Sequence, residues 1–176
     1  MIDHLYRALA DFLLNIKDAN GEPLIRHVAL WNRQVDFLET EGTFATPAVF
    51  VQFLPMQWHQ LSQGVEEAQL QLVLHLACTT KASAKSTDQF KDAALQRFYL
   101  LANLHKSFVS FTRSGPSWMA GNPERLSLDI DHDHSELTDD RITYQLPVAD
   151  ASACPQADWI SKLIHPQAQG SFRTQL

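Results

Sequence analysis

From residue 68 to residue 79 the chain alternates with a period of two. The even positions are Ala68, Leu70, Leu72, Leu74, Leu76 and Cys78, and the odd positions are Gln69, Gln71, Val73, His75, Ala77 and Thr79. Successive side chains of a strand point to opposite faces, so this pattern predicts one long strand with its even face on a core. The odd face is amide-rich and nearly uncharged, which suits a surface that packs against a second subunit. Residues 2–17 repeat at three- and four-residue steps instead. Ile2, Leu5, Tyr6, Leu9, Phe12, Leu13 and Ile16 form one apolar stripe on a helix. The stretch DANGEP then ends it, with a turn signal at Asn20-Gly21 and a block at Pro23.

The same reasoning carries along the chain. HVALW reads as a short strand, NRQVDFLETEGTFATP as a loop, and PAVFVQFL (47–54) as a buried strand rich in β-branched and aromatic residues. PMQWHQLSQG (55–64) reads as a connection. TTKASAKSTD is a polar loop, and its Asp88 caps a second helix over 88–110. The expected stripe of that helix is Phe90, Ala94, Leu95, Phe98, Leu101, Ala102, His105 and Phe108. A Gly/Pro loop over 111–123 leads to the strand RLSLDI. The last strand is RITYQLPVAD, with Ile142, Tyr144, Leu146 and Val148 on one face. Pro147 cannot donate to a ladder, which places this strand at a sheet edge.

Together these elements predict an α+β fold. It is a single domain over residues 1–150, with a mainly antiparallel sheet and two main helices packed on one face. Residues 151–176 form a C-terminal extension, partly flexible, with one short apolar cluster at Trp159, Ile160, Leu163 and Ile164.

Composition narrows the function classes. The chain has 176 residues, 45% hydrophobic and 19% charged, with a formal net charge of -6, as expected of one globular domain with a real core. The negative balance argues against binding nucleic acid by neutralising phosphates. The N-terminus lacks a signal-peptide pattern, and no segment approaches a membrane span. The two cysteines, Cys78 and Cys154, form no CxxC and no disulfide framework, which fits a reducing compartment. Cys78 is expected in a buried strand and Cys154 in a loop.

Candidate chemistry concentrates at Asp131, His132, Asp133 and His134, between the last two strands. His132 and His134 share a face if extended, and two imidazoles can start a transition-metal site. A zinc site needs further ligands. Only His59, His75, His105 and His165 offer themselves, none of them fixed by spacing. The calcium-loop pattern fails for want of its central glycine and terminal glutamate. The plainer reading is a solvated hairpin tip, and no metal, cofactor or catalytic residue is assigned. There is no G-x-S-x-G elbow and no glycine-rich phosphate cradle. Asp139 and Asp140 are adjacent and point to opposite sides if extended, a poor acid/base pair. Tryptophan is enriched at interfaces, so Trp31, Trp58 with its neighbour His59, and Trp118 are candidate contact residues, alongside Asp131, His132, Asp133 and His134.

The segment IRHVALWNRQVDFLETEGTFATPAVFVQFLPMQWHQLSQGVEEAQLQLVLHLAC, and the later LDIDHDHSELTDDRITYQL, resemble small tail-terminator or tail-completion proteins of prophages and tailed bacteriophages. The likeness covers roughly residues 2–148: an amphipathic helix, HVALWNRQV, PAVFVQF, a W…L..G connection into the long strand, a helix, and a final D.DH hairpin. It implies a sheet flanked by helices and a ring homo-oligomer, often hexameric, that caps the tail tube and docks the head connector. It brings no catalytic residues, no specific nucleic-acid binding and no membrane. It places the chain in the bacterial host cytoplasm during assembly and then in the virion tail. The loops at 55–64, 111–123 and 131–140 are then the expected contact surfaces. Two other readings stay open on the residues alone. One is a metal-dependent hydrolase using Asp131–His134. The other is a small non-catalytic binding or adaptor domain.

Overall fold

A computed structural model describes residues 2–36, 44–62, 64–79, 91–113, 122–131 and 137–153. The first helix, α1 (Ile2–Leu14), buries Leu5, Leu9 and Leu13 along its predicted stripe. It ends two residues before Ile16, the last member of that stripe, because the following turn captures the chain. Asp18 Oδ1 accepts from the backbone N–H of Asn20 and of Glu22, at 2.8 and 2.9 Å. Gly21 sits at φ 87°, a left-handed conformation open to glycine without strain.

Six strands follow, with the second helix between the fourth and the fifth. They are β1 (His27–Leu30), β2 (Ala48–Phe53), β3 (Trp58–Ser62), β4 (Val65–Thr79), β5 (Glu124–Asp129) and β6 (Leu137–Asp150), and the helix is α2 (Lys91–Arg113). They form one sheet in the order β1-β2-β4-β6-β5, with β3 also paired to β4. Only β1–β2 is parallel; every other pairing is antiparallel. The fold is therefore α+β with a mixed, mainly antiparallel sheet. The alternating stretch predicted over 68–79 is all of β4 but its first three residues, and β4 pairs with β6 from Glu66 to Thr79. On its other side β4 takes β3 and then β2 in succession, so this one strand organises the sheet.

The even face of β4 is the main core. Leu70, Leu72, Leu74 and Leu76 meet Val49 and Val51 of β2 and Ile142, Tyr144, Leu146 and Val148 of β6 under the two helices. Phe12 of α1 and Phe111 of α2 close the helix layer, with ring centroids 5.0 Å apart. Cys78 is buried here, as expected of its even position. Cys154, Trp118 and His132–His134 lie outside the described residues.

The structure corrects several expectations. Residues 58–62 are not a loop. They form β3, which has little pattern of its own and is held by pairing with β4. Likewise β6 begins at Leu137, four residues before the predicted strand, so 137–140 is sheet rather than loop. Residues 111–113 are the last of α2. Nor does β6 lie at the edge of the sheet: β5 flanks it. However, β5 reaches only as far as Gln145, so Pro147 lies past its end, where no described strand needs its missing N–H. In α2 the buried residues are Leu100, Leu101, Leu104, Phe108 and Phe111, while Leu95 and Phe98 face out. The helix is apolar on two sides, and the predicted stripe mixed them.

Candidate functional site

The odd face of β4 is not uniformly open. Its first half is: Gln69 and Gln71 join Gln145 of β6 in a ladder of amide hydrogen bonds at 3.1 and 3.4 Å. Its second half is covered by a smaller core of Val35, Ala48, Phe50, Ala77 and Leu137, with Ala29, Trp31 and Phe44 packed on it. Of these, Trp31, Val35 and Phe44 come from between β1 and β2, where the sequence predicts the end of a strand and then a loop with a short turn of structure.

Within this second core sits a buried polar cluster. His75 is 3% exposed, and its Nδ1 lies 3.0 and 3.1 Å from the two carboxylate oxygens of Asp139, itself 3% exposed. The other ring nitrogen, Nε2, lies 3.0 Å from the side-chain amide of Gln52, which can turn either end toward it. Arg141 Nε donates to Asp139 Oδ2 at 2.9 Å. The register explains the convergence, because Gln52 and Arg141 stand on the strands that flank His75, and Asp139 is two residues from Arg141 on the same face. Burial works against the Arg141 charge, but the hydrogen bond and charge of Asp139 outweigh it and raise its pKa. Over the imidazole lies the Trp31 ring, 3.8 Å between centroids and 8° from parallel.

Chemically this is a histidine oriented by a carboxylate, the base half of a catalytic triad. It is not set up as one. Both ring nitrogens are engaged, and the indole covers the ring. The Thr46 and Thr79 hydroxyls, at the end of β4, hydrogen-bond each other at 2.8 Å. The cluster instead ties β2, β4 and β6 together through paired buried polar groups, and the stacked Trp31 seats the start of the β1–β2 connection on it. Sequence reasoning lists His75 only as a remote metal ligand. The available signal was an ionisable residue at the centre of an otherwise neutral strand face, with Asp139 and Arg141 at i, i+2 on a neighbouring strand.

A second polar knot locks the start of β6 on the helix side. Asp140 Oδ1 accepts the backbone N–H of Asp131 at 2.9 Å, and Asp131 Oδ2 accepts that of Asp139 at 2.7 Å. Arg97 of α2 donates to the Asp131 carbonyl at 3.1 Å and lies 3.5 Å from Asp140. Asp131 is thus a half-buried clamp at the hairpin base rather than part of an exposed tip. Asp139 and Asp140 do point to opposite faces, each into its own knot.

The other described contact candidates, Trp58 and His59, lie apart from the His75 cluster. Trp58 packs partly into the main core from β3, while His59 beside it is exposed. Trp58 pairs with Ala68, seven residues along β4 from His75, or about 23 Å at the usual strand rise. His75 and His105 lie on opposite faces of the sheet. The Tyr144 hydroxyl lies 2.9 Å from His105 Nδ1. Burial holds the Tyr144 hydroxyl above its ordinary value and the His105 imidazole below its own, and the histidine tautomer decides which of the two donates. Among the described residues, no three His, Cys, Asp or Glu side chains are placed to hold a metal. No helix among them is long and apolar enough to cross a membrane.

What the surface does display is large apolar side chains on the sheet edges and the outer side of α2. Leu30 of β1 and Leu126 and Leu128 of β5 are about half exposed, as are Leu61 of β3 and Phe98 and Tyr99 of α2. Compared with known proteins, the chain matches no family model and no curated sequence.

Proposed function

We propose that this chain is a structural assembly protein of a bacteriophage or prophage tail, in a terminator or completion role. It works by self-association and by docking the tail tube and head connector. The observation that carries the reading is where exposure falls: the catalytic-looking residues His75 and Asp139 are sealed, while the edge strands present leucines to solvent. Exposed apolar side chains on paired-out strands are a contact surface or an aggregation hazard, and self-association turns the second into the first. The resemblance of the HVALWNRQV, PAVFVQF and D.DH strings to tail-terminator proteins points the same way.

Native mass spectrometry of the untagged chain, alone and with tail-tube protein, tests this. The expected result is a closed ring, near 119 kDa if six 19.9 kDa chains assemble, with no metal. A chain that stays monomeric and binds no tube protein would overturn the reading.

A further inference from the structure

This inference rests on the ring-forming reading and names the surface that would close the ring. Among the described residues, β1 pairs only with β2, and β5 pairs only with β6, so the sheet has two open edges. An open edge is a row of unpaired backbone donors and acceptors, a template for a strand of another chain. We propose that β1 of one copy pairs antiparallel with β5 of the next, continuing one sheet around the ring.

The direction follows from the topology. β1 and β2 run one way, β4 the other, β6 with β1, and β5 against it. A ring whose axis lies along the strands preserves strand direction from copy to copy. The β1 of one copy therefore meets the β5 of its neighbour head to foot.

The register follows from the faces. Leu128 stands opposite Ile142 on the helix side of the sheet, and Val28 also faces the helix-side core. Ser127 stands opposite Thr143 on the far side, where Ala29 packs. Of the face-matched registers, the one that sets Leu128 against Val28 and Ser127 against Ala29 places all four residues of β1 opposite β5. The exposed Leu30 then meets the bulge at Arg125 and Leu126. Half-exposed leucines of both edges are covered together, as cross-strand apolar pairs should be.

Charge favours this pairing over pairing of two β5 edges. Residues 26–30 carry Arg26 and no carboxylate, whereas residues 124–131 carry Glu124, Asp129 and Asp131 against Arg125 alone. Two β5 edges paired antiparallel about their centre would set Glu124 against Asp129. Like charges directly opposite destabilise a strand pair. The mixed pairing is head-to-tail, the kind of contact that closes into a ring.

The test is a cross-link in the full chain. Ala29→Cys and Ser127→Cys, in a Cys154→Ser background that keeps the buried Cys78, are oxidised mildly and read by non-reducing gel, native mass spectrometry and peptide mapping. A ladder of covalent oligomers joined between positions 29 and 127 is expected from the double variant and from neither single one. A ring of unchanged mass without that link overturns the edge pairing and leaves the assembly reading standing. A chain monomeric and unlinked even with tail-tube protein overturns both. Leu128→Glu provides a second reading, since the side chain is about half exposed. Circular dichroism should stay unchanged while the ring is lost, and a ring that survives the substitution overturns the pairing.

Discussion

At the scale of single residues the fold turns on two buried aspartates with opposite fates. Asp139 is matched by His75 and Arg141. Asp140 is fully buried with Oδ1 on Asp131, yet Oδ2 has no partner among the described residues. Burial pushes its carboxyl above the usual 3.8, against the pull of the Asp131 N–H and of Arg97. A carboxyl held higher in the folded than in the unfolded chain favours folding only while protonated. Its cost is absent below 3.8, grows as pH rises through the folded value, and is complete above it. Asp140→Asn keeps an acceptor for Asp131 without the charge. In urea titrations from about pH 3.5 to about pH 7, stability of the Asn variant relative to the parent should rise with pH, by linkage. A difference that stays flat across that range would show that Asp140 carries no such strain.

At the scale of elements, β4 is the strand on which the others depend. Its alternation is legible because one strand face packs on a core for its whole length. Leu74 is fully buried at its centre, opposite both Val51 and Ile142. Leu74→Ala should cost about 3 kcal/mol, the usual loss for a leucine removed from a packed core. Urea midpoint with an unchanged slope measures it; a cost near zero would mean the core closes over the gap. Elements without their own period were less legible. β3 exposes all but its first residue, so it exists through β4 rather than through its sequence. The outer apolar stripe of α2 shifted the predicted phase of that helix. Both faces carry leucine and phenylalanine, and only the packing partner tells which is inside.

At the scale of the whole molecule, the described residues form a sheet with helices on one face, a half-covered second face and two edges, at β1 and β5, of opposite charge. If those edges join copies, exposed ion pairs contribute to the seam and salt should weaken it. Ring mass by light scattering should fall toward monomer as sodium chloride rises from about 0.05 M to about 0.5 M, where screening shortens the reach of each charge. A ring indifferent to salt would assign the seam to its leucines alone.

The long strand β4, the helix α1, the α+β class and the main core were written in the order of apolar and polar residues, and β3 was not. Periods of two and of three to four are local properties, and a strand or helix must bury its regular face. The candidate site was not legible in that way. His75, Asp139, Gln52 and Arg141 come from three strands, and nothing local in any of them announces the other two. Trp31 reaches His75 only because β1 lies beside β2, a parallel pairing that no short-range pattern encodes. Nor could sequence place Asp131 at the hairpin base, since its partners Asp140 and Arg97 meet it only after β6 and α2 have docked. Local periodicity determined which face of α1, β4 and β6 is inside. Strand order and register, set by long-range packing, decided which of the buried residues touch.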